Sequence, residues 1–185
     1  MLTRDEIVKQ LATSMGKTTV VDLSKKLKEQ NFPYRDIIDL TFHPDKQIAF
    51  RAAWLMDTLY FDDPLYYLQD IDYLLQQIPN IKYPASKRHY SRIVLHLTSP
   101  KAPKPIQDKM AGLDLEPVVE HFFDWMIDPK VKVAVKVFVT EVIFNLRGRY
   151  PWVNEELANQ IQFLMRDGTA AIQSTGKKLL KGLAK

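Results

Sequence analysis

The sequence predicts an all-α protein: an α-α superhelix, or solenoid, of about four helical hairpins behind an N-terminal helical cap. Three observations predict it. Apolar residues recur at three- and four-residue spacing along nearly the whole chain, and prolines stand at the starts of those runs. A basic residue also returns at Arg51, Arg92, Lys136 and Lys177, at intervals of 41, 44 and 41 residues. An apolar stripe at helical period must be covered by a neighbour. Proline costs nothing in a first helical turn, where its missing N–H would have no partner. A period of about 40–47 residues is that of two-helix units that stack.

In chain order, Ile7, Leu11 and Met15 give a first helix over 4–15, and Val20, Leu23 and Leu27 a second over 18–30. Pro33 opens 33–41 and Pro44 opens 44–60, where Ile48, Ala52, Leu55 and Leu59 line one side. Pro64 opens 64–78 with Leu68, Ile71, Leu74, Leu75 and Ile78; Pro84 opens 84–98. Segment 114–127 carries Val118, Phe122, Trp125 and Met126. The run Val131 to Val139 alternates like a strand. Its continuation through Val142, Ile143, Phe144 and Leu146 restores the helical stripe, so 129–147 reads as helix. Helices over 151–165 (Leu157, Ile161, Leu164) and 168–183 complete the set. Most connections are two to five residues, which sets neighbouring helices antiparallel. The exception is 99–113, where Pro100, Pro103, Pro105 and Gly112 predict a long Pro-rich loop, read as a flexible connector or as a partner-binding arm.

Composition narrows the function. The 185 residues are 46% hydrophobic and 26% charged, the balance of an ordinary globular chain. Cysteine is absent, which excludes disulfide scaffolds and thiolate zinc. The longest stretches without Asp, Glu, Lys or Arg are nine residues, Tyr73–Ile81 and Gly168–Gly176, against roughly 20 apolar residues for a membrane span. The opening Met1-Leu2-Thr3-Arg4-Asp5-Glu6 has no apolar core of an export signal, so the expected location is the cytoplasm. Net charge is +4, and it resides in the last ten residues with Lys177, Lys178, Lys181 and Lys185. Cations there suit a helix C-terminus, an acidic partner or nucleic acid.

The second helices of the hairpins open alike, at His43-Pro44-Asp45, Tyr83-Pro84, Asp128-Pro129 and Asp167-Gly168. His43-Pro44-Asp45 with Arg51-Ala52-Ala53, and Asp128-Pro129 with Val135-Lys136, resemble the turn and second helix of HEAT repeats. The likeness covers about residues 33–183. Val135–Tyr150, Pro151-Trp152 and the ending Gly176-Lys177-Lys178-Leu179-Leu180 are similar to a small group of bacterial HEAT-like proteins without an established role. The resemblance implies a single armadillo-type domain over 1–185: cap 1–30, hairpins 33–61, 64–98, 114–147 and 151–183, and loop 99–113. It further implies that the second helices line a concave face. Their polar stripes then carry Gln47, Arg51, Trp54 and Thr58; Arg88 and Arg92; Lys132, Lys136 and Thr140; Gln173, Lys177 and Lys181. This basic column reads either as a ladder neutralised by turn acids such as Asp45 and Asp128, or as a groove for an anionic ligand.

Trp54 reads as a packing residue or as a stacking surface, because the matching positions Leu95, Val139 and Leu180 are aliphatic. Trp125 and Trp152 read as core and helix-start residues. His43, His89, His96 and His121 show no metal-ligand spacing, and Asp62-Asp63, Asp70 and Asp72 lack the glycine of a calcium loop. The stretch Tyr60, Phe61, Tyr66, Tyr67 and Tyr73 is either buried on two sides or an aromatic surface for a partner. No catalytic motif, cofactor fingerprint or metal site is visible. The leading expectation is therefore a non-catalytic scaffold that binds a protein or peptide, with an acidic partner as one option, and with no membrane and no cofactor. The alternative is nucleic-acid binding: some bacterial HEAT-like proteins are DNA alkylation-repair glycosylases that use Trp and Asp by a basic face, and Trp54 with Asp57 resembles that pair.

Overall fold

The computed structural model describes residues 2–184; Met1 and Lys185, which belong to the reading of the two termini, lie outside the described residues. Every regular element among the described residues is helical. By contacts the chain divides into two compact units, Met1–Ile93 and Val94–Lys185.

In the first unit, α1 (Arg4–Ala12) starts on a capping box: Glu6 N–H donates to Thr3 Oγ1, and Thr3 N–H to the Glu6 carboxylate. The helix stops before the expected Met15 because Thr13 is extended. α2 (Lys17–Glu29) buries Val20, Leu23 and Leu27. Asn31, with φ 51°, then lets Phe32 N–H reach back to the Leu27 carbonyl at 2.9 Å, a Schellman ending. α3 (Tyr34–Leu40) leads to α4 (Lys46–Asp62), which packs against α1, α2 and α3 and buries Ala49, Ala52, Ala53, Leu55 and Met56 completely. The alanines let those neighbours approach closely. The Tyr34 hydroxyl donates to the buried Met56 carbonyl at 3.0 Å, so the aromatic core keeps its polar atoms bonded.

The single helix expected over 64–78 is broken. A 3-10 turn (Leu68–Asp70), a short α5 (Ile71–Gln76) and a second 3-10 turn (Ile78–Asn80) replace it. The Asp63 carboxylate accepts Tyr66 N–H at 3.2 Å and holds the chain in a turn after Pro64. Pro79 has no N–H to continue α5. Pro84 then opens α6 (Pro84–Leu97), which buries Ser86, Tyr90, Ser91 and Ile93 in this unit; the Tyr90 and Thr41 hydroxyls meet at 2.8 Å.

In the second unit, the segment expected to be a loop holds α7 (Lys104–Ala111). Pro103 and Pro105 stand at its N-terminus, where proline starts a helix, and Ile106 and Met110 are buried. α8 (Glu116–Ile127) buries Val118, Val119, Phe122, Phe123, Trp125 and Met126 and packs on α9. The alternating valines are helical: α9 (Val133–Leu146) buries Val135, Val139, Val142, Ile143 and Leu146. It begins after Pro129, because the Asp128 carboxylate accepts Lys130 N–H at 2.8 Å in a turn. α10 (Val153–Met165) and α11 (Ala170–Leu183) both pack on α9 and on each other. Gly176 permits the close α10–α11 approach: a Cβ there would lie 2.3 Å from Met165 Sδ. Among the described residues no helix is long and apolar enough to cross a membrane.

Candidate functional site

In the first unit the stripe of α4 and α6 is built around a buried acid. Ala49, Ala53 and Asp57 follow at four-residue intervals, so Asp57 occupies a core register of α4 and is only 3% exposed. Its Oδ2 accepts the Arg92 Nη1 hydrogen bond at 2.6 Å and lies 3.4 Å from His89 Nδ1, both on α6. Its Oδ1 is buried without a hydrogen-bond partner. A buried carboxylate is tolerated only when paired, and Arg92 is the resident counter-charge. The Arg92 guanidinium also lies over the Phe61 ring, 4.1 Å from its centroid, while 48% of the side chain is exposed.

Arg51 does not join this pair. Its Nη1 donates to the Leu11 carbonyl at 2.7 Å, satisfying an acceptor at the end of α1. Asp45 accepts Gln47 and Ile48 N–H as the α4 N-cap, and those backbone hydrogen bonds hold its carboxyl below the usual range. Gln47 and Arg88 are exposed. Trp54 is half-buried; its ring lies 6.3 Å from Phe50, and the Phe50 ring lies 5.9 Å from that of His89.

The stripe of the second unit is composed differently. Lys132 caps α9 with its backbone and is exposed. Lys136 is half-buried, and desolvation lowers its pKa. Thr140 is buried, with its hydroxyl donating to the Lys136 carbonyl at 2.6 Å within the same helix. Thr140 also lines a small apolar cavity with Val137, Ile161, Thr175 and Gly176. On α11, Lys177 and Lys181 are exposed, and neighbouring Lys178 pairs with Glu141 at 3.2 Å.

The predicted stripe residues therefore meet in two ways. Arg92 is locked by an acid and Arg51 by a carbonyl, whereas Lys132, Lys177 and Lys181 have no side-chain partner among the described residues. Sequence reasoning missed Asp57 and His89 as partners of Arg92. The available signal was an acid at the i+4 and i+8 positions of a buried alanine stripe.

The aromatic flank is also resolved. Tyr60 and Tyr67 are buried and the tilted Tyr34 and Tyr67 rings lie 4.4 Å apart, while Tyr66 is 41% exposed beneath the Lys28 ammonium. Lys28 bridges Asp62 and Asp63 at 2.8 and 3.2 Å, and Arg35 pairs with Asp70 at 2.8 Å. Trp125 is buried; Trp152 precedes α10 and donates its indole N–H to Glu116 at 2.8 Å.

The family described as a HEAT repeat domain matches residues 7–183. No curated protein and no solved structure matches the chain.

Proposed function

The chain belongs to the HEAT repeat family, and from that premise we propose a non-catalytic helical-repeat scaffold that binds a protein or peptide through the face formed by its second helices, the concave face of such arrays. The reading takes 33–61, 64–98, 114–147 and 151–183 as four hairpins behind the 1–30 cap, and a cytoplasmic, acidic protein as the partner. One observation carries it. In each unit the second helices bury an apolar row, Ile48 to Leu59 on α4 in the first and Val135 to Leu146 on α9 in the second, while Gln47 and Arg88 in the first unit and Lys132, Lys177 and Lys181 in the second are exposed. Exposed polar side chains of this kind, each set backed by the core of its own unit, offer charge and hydrogen bonds without disturbing the fold.

The test is affinity capture followed by titration of the purified partner. Arg88→Glu with Lys177→Glu reverses exposed charges and spares every ion pair named above, so folding is retained and saturable binding is lost. Unchanged binding by that double variant would remove the second-helix face from the function.

A second reading, nucleic-acid binding of the alkylation-repair kind, draws support from one observation: buried Asp57 keeps an unpartnered oxygen, one turn from Trp54 and next to Arg92. A gel shift against single- and double-stranded DNA at low salt separates the two, since phosphate contacts weaken steeply with salt. No retardation at low salt ends this second reading.

A further inference from the structure

We propose that Arg88 and Arg92 form a receptor for carboxylate side chains of an acidic peptide segment in a partner protein, with Asp57 as the positioning residue that sets Arg92. The inference rests on the scaffold reading and narrows it to a site and a ligand chemistry.

Arg88 and Arg92 stand one turn apart on one face of α6, with Cβ atoms on the order of 6 Å apart, within reach of one bidentate or paired carboxylate ligand. Arg92 is held from beneath, by the 2.6 Å bond to Asp57 and by the Phe61 ring. That bond occupies Nη1, and half of the side chain stays exposed with further N–H donors. A long side chain already fixed loses less conformational freedom when an anion arrives. Arg88 is exposed and has no side-chain partner among the described residues.

Charge complementarity identifies the occupant. α6 carries Lys87, Arg88, His89 and Arg92 in its first three turns and not one Asp or Glu along its length. The acids of facing α4 are withdrawn: Asp57 is sunk beneath Arg92, and Asp62 is tied to Lys28. The positive face is local, because residues 1–93 hold 13 Lys and Arg against 12 Asp and Glu. A long polyanion gains from an extended basic track; one or two carboxylates need only a fork of guanidiniums. Half-buried Phe50 lies 5.9 Å from the His89 ring and 6.3 Å from that of Trp54, so aromatic surface borders α6 at His89.

The experiment is calorimetric titration of the full chain with synthetic hexaglutamate, and separately with inorganic phosphate and an oligothymidylate at the same ionic strength. Hexaglutamate binds saturably, and Arg88→Gln with Arg92→Gln weakens it about tenfold or more. Arg92→Lys keeps the charge and therefore the salt slope, but loses affinity because the fork is gone. Asp57→Asn is a test of sign. Removing a negative charge strengthens anion binding if charge alone acts, and weakens it if Asp57 positions Arg92. Circular dichroism and the melting temperature establish that each variant is folded; should Arg92→Gln not fold, Arg88→Gln with Arg92→Lys replaces it. Absent hexaglutamate binding, binding indifferent to the arginines, or tighter binding of phosphate or oligothymidylate overturns the receptor. Tighter binding by Asp57→Asn overturns the role of Asp57. If a captured partner still binds Arg88→Gln with Arg92→Lys, this site falls while the scaffold reading stands.

Discussion

The two units solve the same problem, a basic residue on each second helix, with different chemistry. In the first unit the bases are arginines with fixed acceptors: Arg51 on the Leu11 carbonyl, Arg92 on Asp57. In the second they are lysines, with Lys177 and Lys181 exposed and Lys136 half-buried and desolvated. The arginines of the second unit serve elsewhere: Arg149 bonds the Met110 and Leu113 carbonyls, and Arg147 the Phe144 carbonyl. The difference teaches that one period in the sequence hides two roles. A planar guanidinium with several donors can close a helix end or neutralise a buried acid, whereas the ammonium groups of Lys177 and Lys181 stay in water on flexible stems.

The sharpest way to break the comparison is to remove the base from each side. Arg92→Ala strands Asp57 in the core with one oxygen already unpartnered. Leaving a buried charge alone costs about 3–5 kcal/mol, and because half of Arg92 is solvent-screened the lower end applies, about 3 kcal/mol. Asp57→Leu with Arg92→Ala costs less than Arg92→Ala alone, since no charge is then left buried. A double-mutant cycle with Asp57→Leu alone, by urea denaturation, measures this; a double variant that costs the sum of the two single variants would show that the pair is not coupled.

A smaller effect is expected at Arg149. Its guanidinium fastens the connection between α7 and α8, where the Tyr150 hydroxyl also accepts Leu115 N–H at 2.9 Å and Trp152 bonds Glu116. Arg149→Ala removes two charge-assisted hydrogen bonds at a partly exposed site, worth about 1–2 kcal/mol together. Hydrogen exchange should quicken at Met110–Leu115 and leave α1–α4 unchanged. Uniform quickening across the chain would mean that Arg149 supports more than this local staple.

Much of this architecture was legible because the signals were long. The valines of α9 keep a helical stripe through Leu146, so their alternation over nine residues is outweighed by period and length. Where the reading failed, a short-range competitor won. Asp63 holds a turn that cuts the helix expected over 64–78, and Pro103 with Pro105 start α7 where they were read as breakers. The turn acids are engaged first by the backbone: Asp45 accepts the Gln47 and Ile48 N–H groups and Asp128 that of Lys130, and they act on Arg51 and Lys136 through charge rather than through a hydrogen bond. For the candidate site, the stripe positions were readable but not their partners. The alanine register of α4 marks Asp57 as buried, but its partner Arg92 lies 35 residues on and no local pattern names it.

The smallest effect belongs to the lysines of α11, where the comparison can be sharpened without disturbing the fold. Lys177 and Lys181 are exposed, one turn apart, and have no side-chain partner among the described residues. Lys177→Gln with Lys181→Gln keeps long helix-forming side chains and removes two like charges, so stability changes by no more than about 0.5 kcal/mol. What changes is the field near the last helical turn, and any acidic ligand of this unit should associate more slowly, most clearly at low salt. A stability loss comparable to that of Arg92→Ala would mean that the lysines hold hidden acceptors and that the two units are built alike. A neutral result with an intact fold keeps arginine as the architectural base and lysine as the solvated one.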